Sequence, residues 1–137
     1  MGRPAVINLD TNVLVRWLVH DDPPQSEAAR RFVAENLSAD APGFVTSIAV
    51  VELCWVLESI FELARPQIGD AIRRVLATPE IRVQNAAAIQ SALAIYDDGA
   101  DDIADALIAA LGEAAGCGET VTFDRRFARQ KGVRLLR

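Results

Sequence analysis

Residues 5–12 read Ala5-Val6-Ile7-Asn8-Leu9-Asp10-Thr11-Asn12, a short apolar run that stops at an acid. A run of this length ending so abruptly is the pattern of a buried parallel strand. Val13 to Val19 then follows as a helix capped by the Asp10/Thr11/Asn12 group. His20-Asp21-Asp22-Pro23-Pro24 breaks the pattern, and a polar-faced helix resumes from Gln25 to Leu37. Downstream the same alternation repeats. Phe44-Val45-Thr46 is a short strand, and Ser47 caps a long helix to about Phe61. Arg65-Pro66 opens a helix through Ala77, with proline tolerated in the first turn. Ile81–Val83 is a brief strand, and Asn85 caps a helix from Ala86 to about Tyr96. Asp101/Asp102 start an alanine-rich helix to Ala115, closed by Gly116 and Gly118. Strand Thr120–Phe123, short helix Arg125–Gln130 and strand Val133–Leu136 complete the order. Strands separated by helices imply an α/β fold, with a parallel sheet covered on both faces.

The 137 residues suit one compact domain, and 51% are apolar, enough for a sizeable core. No apolar run reaches the roughly 18 to 20 residues that span a bilayer. Met1-Gly2-Arg3-Pro4 leads into the first strand without the regions of a signal peptide. Cys54 and Cys117 form no framework, and their apolar helical contexts predict two buried, reduced thiols. A soluble protein of the cytoplasm follows, with no membrane association.

The net charge of −5 argues against a general nucleic-acid coat protein. Its distribution is uneven. After Asp124 come six basic residues, Arg125, Arg126, Arg129, Lys131, Arg134 and Arg137, leaving eight basic and eighteen acidic residues before it. Either this stretch is a phosphate-contacting edge on an acidic body, or the arginines only solvate a terminal helix and strand.

The acids at element ends carry the chemistry. Asp10 and Asp124 each directly follow a strand, and open parallel sheets bind ligands at the carboxyl ends of strands. Glu52 lies in Ser47-Ile48-Ala49-Val50-Val51-Glu52-Leu53-Cys54-Trp55-Val56-Leu57, a helix apolar on nearly every side. A carboxylate there has poor access to water, which requires a partner: an arginine such as Arg16, or a divalent cation. Asp102 and Asp105 stand at i and i+3 on one face of their helix. Capping explains Asp101 or Asp102, but Asp105 sits deeper, amid Ile103, Ala106 and Leu107. Four carboxylates in one cleft would repel one another unless cations were present, and such hard oxygen ligands suit Mg²⁺ or Mn²⁺. The chemistry implied is phosphodiester hydrolysis.

Four segments resemble the PIN-domain family, and more closely its VapC toxin branch: Asn8–Leu14, Ser47–Leu53, Ala100–Ala110 and Thr120–Phe127. They follow the family's order and cover nearly the whole chain. The resemblance implies that residues 1–137 form a single PIN domain, a three-layer α/β/α fold with a central, mostly parallel five-stranded sheet. It implies a metal-dependent endoribonuclease whose acids fall on Asp10, Glu52, Asp105 and Asp124, with Mg²⁺ or Mn²⁺ as cofactor. Thr11, Asn12 and Thr122 fall at auxiliary positions beside these acids, and Asp102 matches an additional acid. The sequence Asp101-Asp102-Ile103 departs from the branch, which often has a single acid followed by phenylalanine. The resemblance further implies the toxin of a toxin–antitoxin pair, neutralised by a VapB-like antitoxin and commonly dimeric. Its RNA substrate, at family level, is transfer RNA, with Arg125, Arg126 and Arg129 as contact candidates. Trp55 and Trp17 hint at a partner surface, although core burial is the simpler reading of either.

Other chemistries fit less well. A haloacid-dehalogenase-type phosphatase needs a second acid where Asn12 stands, and Lys131, the sole lysine, is badly placed for it. A receiver domain would want an acidic pair before its first helix and a lysine after a late strand. No glycine-rich loop cradles a nucleotide. His20, the only histidine, reads as a loop residue. The non-enzymatic alternative is a catalytically silent PIN-like module that binds RNA or protein.

Overall fold

Leu9 is where the first strand becomes the first helix. Its amide donates to the Phe44 carbonyl at 2.8 Å, and the next residue, Asp10, already accepts from Val13 and Leu14 through its own carbonyl. The computed structural model describes residues 6–99 and 102–137. The chain divides into two compact units, Met1–Gln84 and Asn85–Arg137.

The first unit alternates strands with helix pairs. β1 (Ile7–Asn8) leads to α1 (Thr11–Leu18) and α2 (Pro23–Asn36); β2 (Gly43–Val45) leads to α3 (Ser47–Ser59) and α4 (Arg65–Ala77), and β3 (Ile81–Val83) follows. All pairings are parallel, in the order β1-β2-β3, with Ile7 opposite Gly43 and Gly43 opposite Ile81. Gly43 is required at that crossing, because a Cβ there would lie 2.7 Å from a methyl of Leu9. The core is aliphatic: Leu14, Val45, Leu53, Leu57, Ile68 and Ile72 are almost completely buried.

The second unit holds α5 (Ala86–Asp97), α6 (Ile103–Ala114), β4 (Thr120–Thr122), a 3-10 turn (Phe127–Arg129) and β5 (Val133–Leu135). Ile89, Ala92, Leu93 and Tyr96 of α5 are buried, as are Ala106 and Leu107 of the neighbouring α6. α6 stops because Gly116 adopts φ +96°, which a side chain would resist, while its amide returns to the Glu113 carbonyl at 2.9 Å. β4 and β5 pair in parallel, with Val121 opposite Arg134.

Several sequence expectations are corrected. The described strands form a three-stranded and a two-stranded sheet, rather than one ladder of five. Alternation of strands and helices dictates parallel pairing, but it does not specify which strands are neighbours. β1 is exposed rather than buried, and Leu9, just past it, is inside. Pro23 and Pro24 open α2 rather than preceding it, because prolines lack the amides a first turn leaves unpaired. Asp22 caps that helix by accepting from Gln25 N at 3.3 Å. α3 is capped by Thr46, whose hydroxyl accepts from Ala49 N at 3.1 Å. Ser47 is instead tied to the end of β3: its amide donates to Gln84 Oε1 and its hydroxyl to the Gln84 carbonyl. The two cysteines differ. Cys54 is buried, and Cys117, beyond the end of α6, is exposed. Asp101 lies outside the described residues. No helix among the described residues is long and apolar enough to cross a membrane.

Two measurements check this description. Thr46→Ala removes the side-chain cap of α3, and urea unfolding should show a loss of about 1 kcal/mol. Burial, reinforced by the charge of Glu58, pushes the Cys54 thiol from its usual 9.0 up to about 12, against a lowering backbone hydrogen bond. Between those two values the unfolded chain ionises at Cys54 and the folded one does not, so this thiol's contribution to stability declines as pH rises. Iodoacetamide should therefore modify Cys117 in the folded protein and reach Cys54 only on unfolding, even near pH ~10.

Candidate active site

The strand-to-helix turn at Asp10 leaves an acid with nothing to do. Asp10 is the N-cap of α1, in extended geometry (φ −74°, ψ 158°), yet its side chain makes no capping hydrogen bond. A carboxylate beside a helix N-terminus would ordinarily accept from the orphan amides there. This one stays available, and it lines a cavity of about 330 Å³ with Glu52. Thr11, buried in the first turn of α1, and the exposed Asn12 line the same cavity. The lining thus offers the carboxylates of Asp10 and Glu52, a hydroxyl and an amide oxygen, alongside the charged side chains of Arg16 and Asp21.

Glu52 reaches this cavity from the outer face of α3. It is exposed, which overturns the expectation that an all-apolar helix would shut it away from water. The reason is that α3 is apolar on two faces. Val50, Leu53, Cys54 and Leu57 are buried, whereas Ile48 and Trp55 are 79% and 74% exposed and flank Glu52 at i−4 and i+3. Trp55 is accordingly a surface residue, while Trp17 is in the core, with the Arg74 guanidinium 4.8 Å from its ring.

Arg16 does not partner Glu52. Its guanidinium donates to both oxygens of Asp21, at 2.8 and 3.0 Å, and to Gln25 Oε1 at 2.7 Å. Arg16 and Asp21 both line the cavity, and the sequence reading missed Asp21 as part of it. The available signal was a basic residue in the last turn of one helix and an acid just beyond. With Arg16 spent on Asp21, neither Asp10 nor Glu52 has an ion pair or side-chain hydrogen bond among the described residues. Two uncompensated carboxylates with neutral oxygen donors on the same lining could hold a hard divalent cation, which takes a few protein oxygens and retains waters.

The remaining predicted residues belong to the second unit. Asp102 is the N-cap of α6, its carboxylate accepting from Asp105 N at 2.7 Å, so its role in the fold is established. Asp105 stands half-buried in the first turn, where the helix dipole favours a carboxylate. Asp124 follows β4, and its Oδ1 accepts from Arg126 N at 2.8 Å and Phe127 N at 3.2 Å. Thr122 Oγ1 in turn accepts from Asp124 N at 3.0 Å. Arg125, Arg126 and Arg129 are exposed. Within neither unit do three or more Asp, Glu, His or Cys side chains gather as a group able to hold a metal, among the described residues. Asp10 and Glu52 are the pair the structure brings together.

A cavity with two uncompensated carboxylates on its lining, just past the carboxyl end of a parallel strand, lies where α/β proteins commonly bind their ligands. Comparison with family models narrows that class: the PIN domain model matches residues 7–133, and the chain belongs to the PIN domain family. PIN domains are typically metal-dependent nucleases, so the fold is a nuclease fold. Comparison with curated proteins gives no match.

The charge arrangement makes a direct prediction. Arg16→Gln removes a cation from the cavity and frees Asp21, which should tighten Mn²⁺ binding on the order of fivefold, about 1 kcal/mol of Coulomb energy. Asp10→Asn should instead abolish it. Titration calorimetry on both variants reads the sign directly.

Proposed function

We propose that this protein is a Mg²⁺- or Mn²⁺-dependent endoribonuclease, acting as the toxin of a VapBC-type toxin–antitoxin pair in the cytoplasm. The observation that carries the nuclease reading is Asp10: a helix-capping acid whose carboxylate is left out of the cap and shares a cavity with Glu52. The toxin role and a structured RNA substrate such as transfer RNA rest on the resemblance to the VapC branch.

Asp10 and Glu52 would hold the cation; Asp105 and Asp124 stand at the other two acid positions that the resemblance to the VapC branch implies. The cation would supply charge stabilisation at a phosphoryl oxygen and a more acidic water. The chain's own groups supply position. Asp10 is fixed by the Leu9–Phe44 hydrogen bond on one side and the first turn of α1 on the other. Thr122 holds the Asp124 peptide, and the turn after β4 occupies Asp124 Oδ1 and leaves Oδ2 outside those bonds. Asp102 fixes the Asp105 amide and is a positioning residue.

A partner surface fits the same reading. Ile48 and Trp55 are large, exposed and apolar on either side of Glu52, so an antitoxin segment covering them would also cover the acid. A basic side chain on that segment would neutralise it. By the same resemblance the toxin acts as a homodimer.

Purified free of partner, the protein should cleave structured RNA with Mg²⁺ or Mn²⁺ and stop when EDTA is added. Asp10→Ala should lower the rate roughly 100-fold or more, the scale on which one charge-stabilising group matters. Cleavage that survives EDTA, or that is unchanged in Asp10→Ala, would remove the nuclease reading. Induced expression should arrest growth, and a small protein encoded beside the gene should relieve the arrest.

A further inference from the structure

The end of the β4–β5 ladder presents a combination that the acidic residues do not explain. Val121 in β4 and Phe123 in the bend just past its end are 48% and 77% exposed. Phe123 is thus a large aromatic ring left in solvent at the carboxyl end of a strand. The Leu136 amide donates to the Thr122 carbonyl at 2.7 Å, so the chain after β5 is held alongside the end of β4. The result is a cavity of about 660 Å³ lined by Phe123, Arg125, Leu135, Leu136 and Arg137.

The surroundings favour a polyanion. Asp124 is the one acid between residues 123 and 137, and its Oδ1 is engaged by the amides of Arg126 and Phe127. Those bonds, together with buried Phe127, brace the turn that carries Phe123 and Arg125. Arg134 lies outside the cavity and is neutralised by Glu119, whose hydrogen bond and charge hold it protonated above its ordinary range. Arg125 and Arg137 are the cationic side chains of the lining.

We infer that this cavity is a stacking platform for single-stranded RNA, with Phe123 taking one base on its ring and Arg125 and Arg137 holding the flanking phosphates. Proteins that grip single strands combine an aromatic face with a basic groove, because every base has a π-face and every linkage a charge. An A-form duplex keeps its bases stacked internally and would not offer one to Phe123. The choice of RNA rests on the ribonuclease reading above, but the platform is tested apart from it.

The test measures binding of fluorescein-labelled oligouridylate of about 12 nucleotides to the full chain by anisotropy, in EDTA so that metal-dependent cleavage is silent. Phe123→Ala should weaken binding about 5- to 150-fold, Phe123→Tyr should bind like the parent, and Phe123→Leu should behave like the alanine variant. Arg125→Ala and Arg137→Ala should each reduce the slope of log affinity against log salt by about 0.7. Circular dichroism verifies that each variant is folded. Equal binding by Phe123→Leu and the parent, unchanged salt slopes, or equal competition by a duplex would overturn the platform. So would a change in oligomeric state on Phe123→Ala with RNA affinity unaltered, which would make the patch a protein contact. If oligouridylate binds as described but no RNA is ever cut on adding Mg²⁺ or Mn²⁺, the nuclease reading fails and the platform stands. If RNA is cut while Phe123→Ala binds like the parent, the outcome is the reverse.

Discussion

The hydrogen bond from the Leu9 amide to the Phe44 carbonyl is the constraint on which the first unit's site depends. It fixes the last residue of the strand run against β2, so the chain has no slack before it must turn. Asp10 then takes extended geometry and offers its carbonyl to α1. The helix start is satisfied by main chain alone. Thr46 stands in nearly the same backbone geometry before α3, with φ −75° and ψ 157°, but there the side chain does cap. Comparing the two junctions isolates what is unusual at Asp10: the same turn, built without using the acid.

Most element types were legible in the sequence because they rest on local rules. Arg65–Ala77 and Ile81–Val83 form where the proline, the turn residues and the apolar spacing place them. Asp10 and Asp124 each lie just past a strand, although β1 and β4 end at Asn8 and Thr122, one residue before the last apolar residue of each run. What sequence could not decide was orientation. In α3 apolar residues occupy two faces, so counting them could not show that Leu53 and Leu57 face the core while Ile48 and Trp55 meet water. Glu52 was singled out for a burial it does not have. The partner of Arg16 is marked in sequence only by its proximity, since Asp21 lies beyond the end of α1 and the pairing depends on how the chain turns into α2.

Capping and function compete for the same residue types, and the structure separates them residue by residue. Asp22 and Asp102 are spent on helix N-termini, and Asp124 gives one oxygen to its turn. Asp21 is matched by a guanidinium. Subtracting these leaves Asp10 and Glu52 as the carboxylates of the cavity with no compensating group among the described residues. A cation bound there would supply that compensation.

The unused carboxylate of Asp10 has an evolutionary corollary. Since the main chain alone secures the start of α1, the side chain at position 10 is not needed to hold the helix. Loss of the acid should therefore cost the site before it costs the fold, so a lineage released from the activity could shed Asp10 and keep its structure.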